Sequence, residues 1–243
     1  MKKYYYDLHI HSCLSPCGDN DSTPDSIAGM GELNGLDIMA LTDHNSTKNC
    51  PAFFEAAKHH GIIAVGGMEL TTAEDIHLVC LFPTLDSAMA FGTEVEKRRI
   101  KIKNRPEIFG DQFIMNSEDQ VIGLEEDLLI NATDITVDEA PLLAEKFGGV
   151  CYPAHIDRES NGIIAVLGAF PETPDFPSAE LHDGEKLEEY LEISHLKKEA
   201  FIVSSDAHNL WSIKERTDFL ELAESEDEDL VRQRLIEYLR CKK

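Results

Sequence analysis

Short apolar runs alternate with helix-like segments along most of this chain, and that alternation restricts the fold more than any other feature. Tyr4 to Leu8, Ile38 to Leu41, Ile62 to Val65, His77 to Phe82, Val150 to Ala154 and Phe201 to Val203 have the length and apolarity of buried strands. Helix boundaries are legible between them. Thr23, Pro24 and Gly35 supply an N-cap, a first-turn proline and a C-terminal stop for a helix over 24–34. A second helix over 51–60 stops at Gly61. A third begins in the capping box Thr136-Val137-Asp138-Glu139 and ends at Gly148-Gly149, and a last covers 230–240. This β-α-β-α rhythm predicts parallel strands with right-handed crossovers, hence an α/β sheet or barrel. Reactive groups should then gather at the C-terminal ends of the strands. At 243 residues a single domain over 1–243 is expected.

One stretch, 84–135, breaks the rhythm and reads as an insertion or lid. It holds a charged, helix-like run (EVEKRRIKIKNR) and then FIMNSEDQVIG, a hairpin turning at Asn116 to Asp119. Lys97, Arg98, Arg99, Lys101, Lys103 and Arg105 form its basic cluster. A solvated helix face explains them; contact with a phosphate-bearing ligand is the alternative.

The strand ends carry the chemistry. Residues two apart on a strand share a side, so His9 and His11 in YYDLHIHS can reach one ion together. Asp206 and His208 repeat the arrangement after Phe201 to Val203. Between them stand Asp43 and His44 in TDHN, Glu69 after the third run, His77 at the start of the fourth and His155 after the fifth. Each has a plainer reading alone: His77 as a hydrogen-bonded core histidine, Asp43 as an acceptor that orients an imidazole. Together they would leave half a dozen polar strand ends to satisfy separately, at several kcal/mol for each one lacking a partner. Metal ions satisfy them collectively. His59 and His60 end a helix where a cation suits the dipole, and His182 and His195 read as surface residues, although His182 follows the strand-like Ser178-Ala179-Glu180-Leu181.

DLHIHS, TDHN, the isolated Glu69, the following His77, PAHIDR and SSDAH resemble, in order over residues 4–208, the motifs of the PHP (polymerase and histidinol phosphatase) family. The resemblance implies an α/β fold, a distorted seven-stranded (β/α) TIM-like barrel, with two or three divalent ions at its mouth and phosphoester hydrolysis as the activity. His9, His11, His44, Glu69, Asp206 and His208 match the four motifs; His77 and His155 match additional ligands. Pro16 stands where many members have an acidic residue or histidine, and Asp19 is the candidate substitute.

Imidazole and carboxylate ligands suit zinc, manganese or iron alike. Glu69 is the candidate bridge between two ions, with a metal-bridging hydroxide as nucleophile held by Asp206 or His208. His155 or His77 lies near a third ion or protonates the leaving oxygen. Arg158 has two readings: a grip on a phosphate oxygen, or a surface pair with Asp157 or Glu159.

The 46 acidic residues against 22 basic ones give a net charge of −24, which favours a small phosphorylated metabolite or nucleotide and disfavours nucleic acid as a partner. A nuclease on single-stranded nucleic acid, using 97–105 as its groove, is the second reading. A catalytically silent metal-binding regulatory module is the third. Six cysteines without a framework spacing suggest reduced thiols and a cytoplasmic protein, and Cys13-x-x-x-Cys17 lacks the second pair that a structural zinc site usually brings. No run approaches the roughly 20 apolar residues that cross a bilayer.

Overall fold

The computed structural model describes residues 1–194 and 196–240, so the surface position expected for His195 lies outside them. In chain order the strands are β1 (Lys2–Ile10), β2 (Ile38–Leu41), β3 (Ile63–Thr71), β4 (His77–Phe82), β5 (Phe113–Met115), β6 (Val121–Leu124), β7 (Val150–Pro153), β8 (Ala179–Leu181), β9 (Phe201–Val203) and β10 (Phe219–Leu222). The helices are α1 (Pro24–Asn34), α2 (Cys50–His59), α3 (Leu85–Arg98), α4 (Pro106–Phe109), α5 (Glu139–Lys146), α6 (Ile163–Leu167), α7 (Leu187–Ser194) and α8 (Glu228–Arg240). None of the described helices is long and apolar enough to cross a membrane.

Six strands form a curled sheet in the order β10-β1-β2-β3-β4-β7, and β8 and β9 form a parallel pair. The pair sits between the sheet's flanks. Ile156 N–H donates to Glu180 O at 2.9 Å on the side of β7, and Ile10 makes an isolated parallel bridge to Ala207 on the side of β1. The observed architecture is thus a mixed α/β fold around a six-stranded half-barrel, and a continuous seven-stranded ladder does not form among the described residues.

The parallel expectation holds for β1, β2 and β3 and for the β8–β9 pair, and it fails at β4. β4 runs antiparallel to both β3 and β7. Only residues 72–76 link β3 to β4, with Asp75 at φ 64° and Thr72 N–H bonded to Ile76 O at 2.9 Å; so short a link reverses the chain and cannot host a crossover helix. The reversal has a use: it brings the first residue of β4, His77, opposite Thr71 at the end of β3 and therefore to the same rim.

A second departure lies within β1. Tyr4, Tyr6 and Leu8 share the interior core with Ile38, Ala40, Val65 and Tyr152, while Ile10 packs with α1 and α2 instead. The β1–β2 register shifts between Asp7 and Ile10, and this irregularity re-phases the strand so that His9 and His11 turn to the mouth.

The 84–135 segment is not one unit. Ala88, Phe91 and Val95 of α3 pack in the core over β3 and β4, so α3 belongs to the barrel's outer layer. The helix stops at Arg98, short of the predicted run, because Arg99 to Lys103 alternates charged with aliphatic residues and runs extended, bridging Arg99 to Thr133 and Lys103 to Asp127. The hairpin β5–β6 forms as predicted, with Asn116 N–H bonded to Gln120 O at 3.0 Å. It is braced on the loop after β1 through Phe113 N–H to Cys13 O at 2.9 Å. The cap of α1 by Thr23 is present, but only half of the Thr136–Glu139 capping box forms. Glu139 N–H reaches Thr136 Oγ1 at 3.2 Å, and the Glu139 carboxylate goes to Arg98.

Candidate metal centre

Eight of the predicted residues converge on the rim. Glu69 Oε1 lies 2.8 Å from His77 Nδ1, 3.0 Å from His155 Nε2 and 3.4 Å from His9 Nε2; its Oε2 lies 3.0 Å from His44 Nδ1 and 3.2 Å from His11 Nε2. Asp206 Oδ1 faces His9 Nε2 at 3.4 Å, His11 Nε2 at 3.2 Å and His208 Nδ1 at 3.7 Å. Three overlapping sets have ligand atoms within 4.8 Å of one another: His9, His11, Glu69 and Asp206; His44, Glu69 and His77; His11, His44 and His208. Glu69 joins two of them, as its candidate bridging role requires.

The backbone is strained to present these groups. Asn45, His155 and Asp206 take φ of 47°, 28° and 50°, a region that non-glycine residues enter at a cost of order 1–3 kcal/mol. Partners behind the rings aim them. His9 Nδ1 donates to Glu180 Oε1 at 2.8 Å, His11 Nδ1 to Ser15 Oγ at 2.9 Å and His208 Nδ1 to the Asp206 carbonyl at 2.8 Å, so each ring, when neutral, carries its lone pair on Nε2. Asp43 acts one step further back. It accepts from Ser15 Oγ at 2.8 Å and from the N–H and hydroxyl of Ser12 at 2.8 and 2.7 Å.

The electrostatics call for cations. Burial opposes the charge on Glu69, yet His77, His9 and His44 hold its carboxyl well below the usual carboxylate range; His9 and His11 do the same for Asp206. Burial also pulls His11 down, but the Asp206 and Glu69 carboxylates reverse this and hold it at about 9. His44 and His208 have too little compensation, and burial lowers them to about 3 and about 4. His44 Nδ1, Glu69 Oε2, His155 Nδ1 and Asp206 Oδ1 are buried without a hydrogen-bond partner. Lone pairs packed this closely, with mixed nitrogen and oxygen donors, fit divalent cations.

Asp19 stays apart. Its side chain is exposed and outside the three sets, while its backbone N–H donates to His208 O at 2.8 Å. That bond ties the loop from Ser15 to Asn20 to the segment carrying His208. Cys13 and Cys17 also fall outside the sets, and burial pushes both thiols up to about 12. Arg158 does not pair with Asp157 or Glu159. Its Nη1 pairs with Asp206 Oδ2, and its Nη2 sits 3.2 Å from the His182 ring nitrogens. Asp157 instead accepts the backbone N–H groups of His182 and Asp183 at 2.9 and 3.0 Å.

The residue that sequence reasoning missed is Glu180, fully buried, which accepts from both His9 Nδ1 and the His155 N–H at 3.2 Å. Its only sequence signal was an ionisable residue between Ala179 and Leu181 in a strand too short to expose it. Two clefts open beside the cluster. One of about 150 Å³ reaches Glu69, His77 and His155; the other, about 610 Å³, runs from Arg158, Asp206 and His208 to Lys214 and Thr217.

The PHP domain family model matches residues 7–152. The chain belongs to the PHP domain family. The matched span holds His9, His11, His44, Glu69 and His77, and the fold adds His155, Asp206 and His208 to them. An error-prone DNA polymerase of Symbiobacterium thermophilum is 35% identical over 77 residues, which is 32% of this PHP chain and 7% of the polymerase. A protein of Bifidobacterium adolescentis, provisionally named a metal-dependent phosphoesterase, superposes with a TM-score of 0.58 at 18% identity over 95% of both chains. The lesion-specific endonuclease Q of Pyrococcus furiosus superposes at 0.55 with 18% identity over 86% of this chain and 49% of its own. These structures share the fold, and the PHP chain spans about half of the endonuclease and under a tenth of the polymerase.

Proposed function

We propose that this PHP chain is a metal-dependent phosphoesterase acting on a small phosphorylated metabolite or nucleotide. The observation that carries the reading is Glu69, a buried carboxylate faced by five imidazoles, joined through His9 and His11 to Asp206 at the edge of an open cleft. Two or three ions of zinc, manganese or iron would be held by the three sets, and they supply Lewis acidity toward a phosphoryl oxygen and an acidified water. Asp206 and His208, where the two clefts meet, orient the attacking water. His155 donates a proton to the leaving oxygen, and Arg158 turns from Asp206 to a phosphate oxygen. The five described cysteines are free thiols, which suits a reducing cytoplasm. The test is turnover of an aryl phosphate before and after chelation; activity that survives complete metal removal refutes the reading.

A second reading, hydrolysis of nucleic acid, is favoured by the fold shared with endonuclease Q, which has been crystallised with a 27-mer duplex carrying an abasic lesion. Against it stand the net charge of −24 and the state of the 97–105 stretch, where Arg98, Arg99 and Lys103 meet acids of 125–139. A labelled oligonucleotide that binds with a steep salt dependence and is cleaved would promote this reading over the first.

A further inference from the structure

We propose that Asn49 is a positioning residue of the metal centre: its side chain ties the hairpin β5–β6 to the loop that aims His11, so that the insertion helps to set the direction of a ligand. The inference rests on the rim holding metal and is independent of the substrate. Asn49 stands at the N-terminus of α2, where an asparagine ordinarily caps the helix, yet its side chain makes no capping bond there. It is fully buried, and its bonds go elsewhere.

On one side Asn49 holds the hairpin. Its Oδ1 accepts the Met115 N–H at 2.9 Å and its Nδ2 donates to Phe113 O at 3.1 Å, so one amide stands in for a neighbouring strand beside β5. A two-stranded hairpin is marginal alone, and this pairing helps to fix it. On the other side the same Nδ2 donates to Ser12 Oγ at 2.9 Å. From there the donors and acceptors fall into one order. Ser12 Oγ and Ser15 Oγ both donate to the Asp43 carboxylate, at 2.7 and 2.8 Å. Having given its proton to Asp43, Ser15 Oγ can only accept from His11 Nδ1, at 2.9 Å, and it also accepts the His44 N–H at 3.2 Å. The His11 ring is thereby fixed with Nε2 toward Glu69 and Asp206, at 3.2 Å from each. Asn49, Ser12, Asp43 and Ser15 are all buried, and a buried network keeps its geometry only while every member keeps its partners.

The test compares Asn49→Ala with Ser12→Ala, which breaks the same link but leaves Asn49 on the hairpin. Zinc affinity of the full chain, measured by competition with a chelator, should fall about tenfold in each variant. The double variant should lose little more than either single one, because both cut the same route. In the zinc-loaded chain the His11 Nδ1 proton, followed by NMR, should exchange with water faster in both variants. A merely structural Asn49 would lower the unfolding temperature and leave zinc affinity and that proton alone. Zinc affinities within about twofold of the unaltered chain, losses that add independently, or an unmoved His11 proton overturns the inference. If Asn49→Ala does not fold, Ser12→Ala decides by itself. The phosphoesterase reading survives each of these results, since it is tested by turnover of the unaltered chain; an unaltered chain that binds no zinc, manganese or iron overturns both.

Discussion

The histidine rim and the basic stretch at 97–105 are both dense clusters of ionisable side chains, and the fold treats them in opposite ways. At the rim, ligand atoms from six elements or their flanking loops crowd around Glu69 and Asp206, and several buried atoms there make no hydrogen bond. Along the stretch, each cation the fold engages closely is given an acid: Lys97 to Glu94, Arg98 to Asp134 and Glu139, Arg99 to Glu125, Lys103 to Glu126 and Asp127. The difference teaches that clustering alone does not mark a site. What marks one is charge that the protein gathers and leaves unsatisfied, because leaving it so costs stability that only a ligand restores.

The largest effect should come from Glu69→Gln, which removes the charge that joins two ligand sets. Metal content measured by elemental analysis should fall, and turnover should drop by more than the roughly 10–100-fold typical when a partner behind a ligand is lost. A variant that keeps its metal and its activity would break the contrast outright. Glu180→Gln tests the layer behind the rings. Metal affinity should weaken by roughly 10–100-fold because His9 loses its charged acceptor, measured by competition with a chelator.

For the basic stretch, Arg98→Ala should cost no more than about 1 kcal/mol in denaturant unfolding, since its pairs are largely exposed and screened. It should leave turnover unchanged. Altered turnover would mean that this stretch is more than a charge-balanced surface.

The smallest expected effect concerns His60, the one described imidazole outside the rim and its cleft with two carboxylate partners. Glu32 at 2.8 Å, helped by Asp25 at 3.2 Å, raises its pKa above the ordinary 6.5 against the opposing effect of burial. A raised folded pKa means that the stabilisation is complete below pH 6.5 and fades as pH climbs through the raised value. The stability gap between the protein and its His60→Ala variant, measured by thermal unfolding, should therefore narrow with rising pH above 6.5 and stay constant below it. A gap that widens with pH would contradict the pairing.

Reading the chain without its fold located most of the rim. His9, His11, His44, Asp206 and His208 stand at strand ends, and strand ends are legible because apolar runs and turn residues act locally. Glu69 and His77 were found for a partly different reason than expected: Glu69 lies inside β3, which runs on through Gly66 and Gly67 to Thr71, and His77 opens a strand that runs the other way. At Gly67 a side chain would meet Cys80 O at 2.8 Å, so the close approach of β4 to β3 depends on that residue.

The amino-acid order by itself determined the chemical character of the rim, its strands and most of its helices, because propensity, capping and hydrophobic spacing are properties of neighbouring residues. Only the tertiary structure decided which lone pairs meet. The re-phasing of β1, the reversal into β4 and the bond from His9 to Glu180, 171 residues away, all depend on pairings between distant segments. The same is true of the acids that pair with Arg98, Arg99 and Lys103, which lie far along the chain and are invisible to any local window.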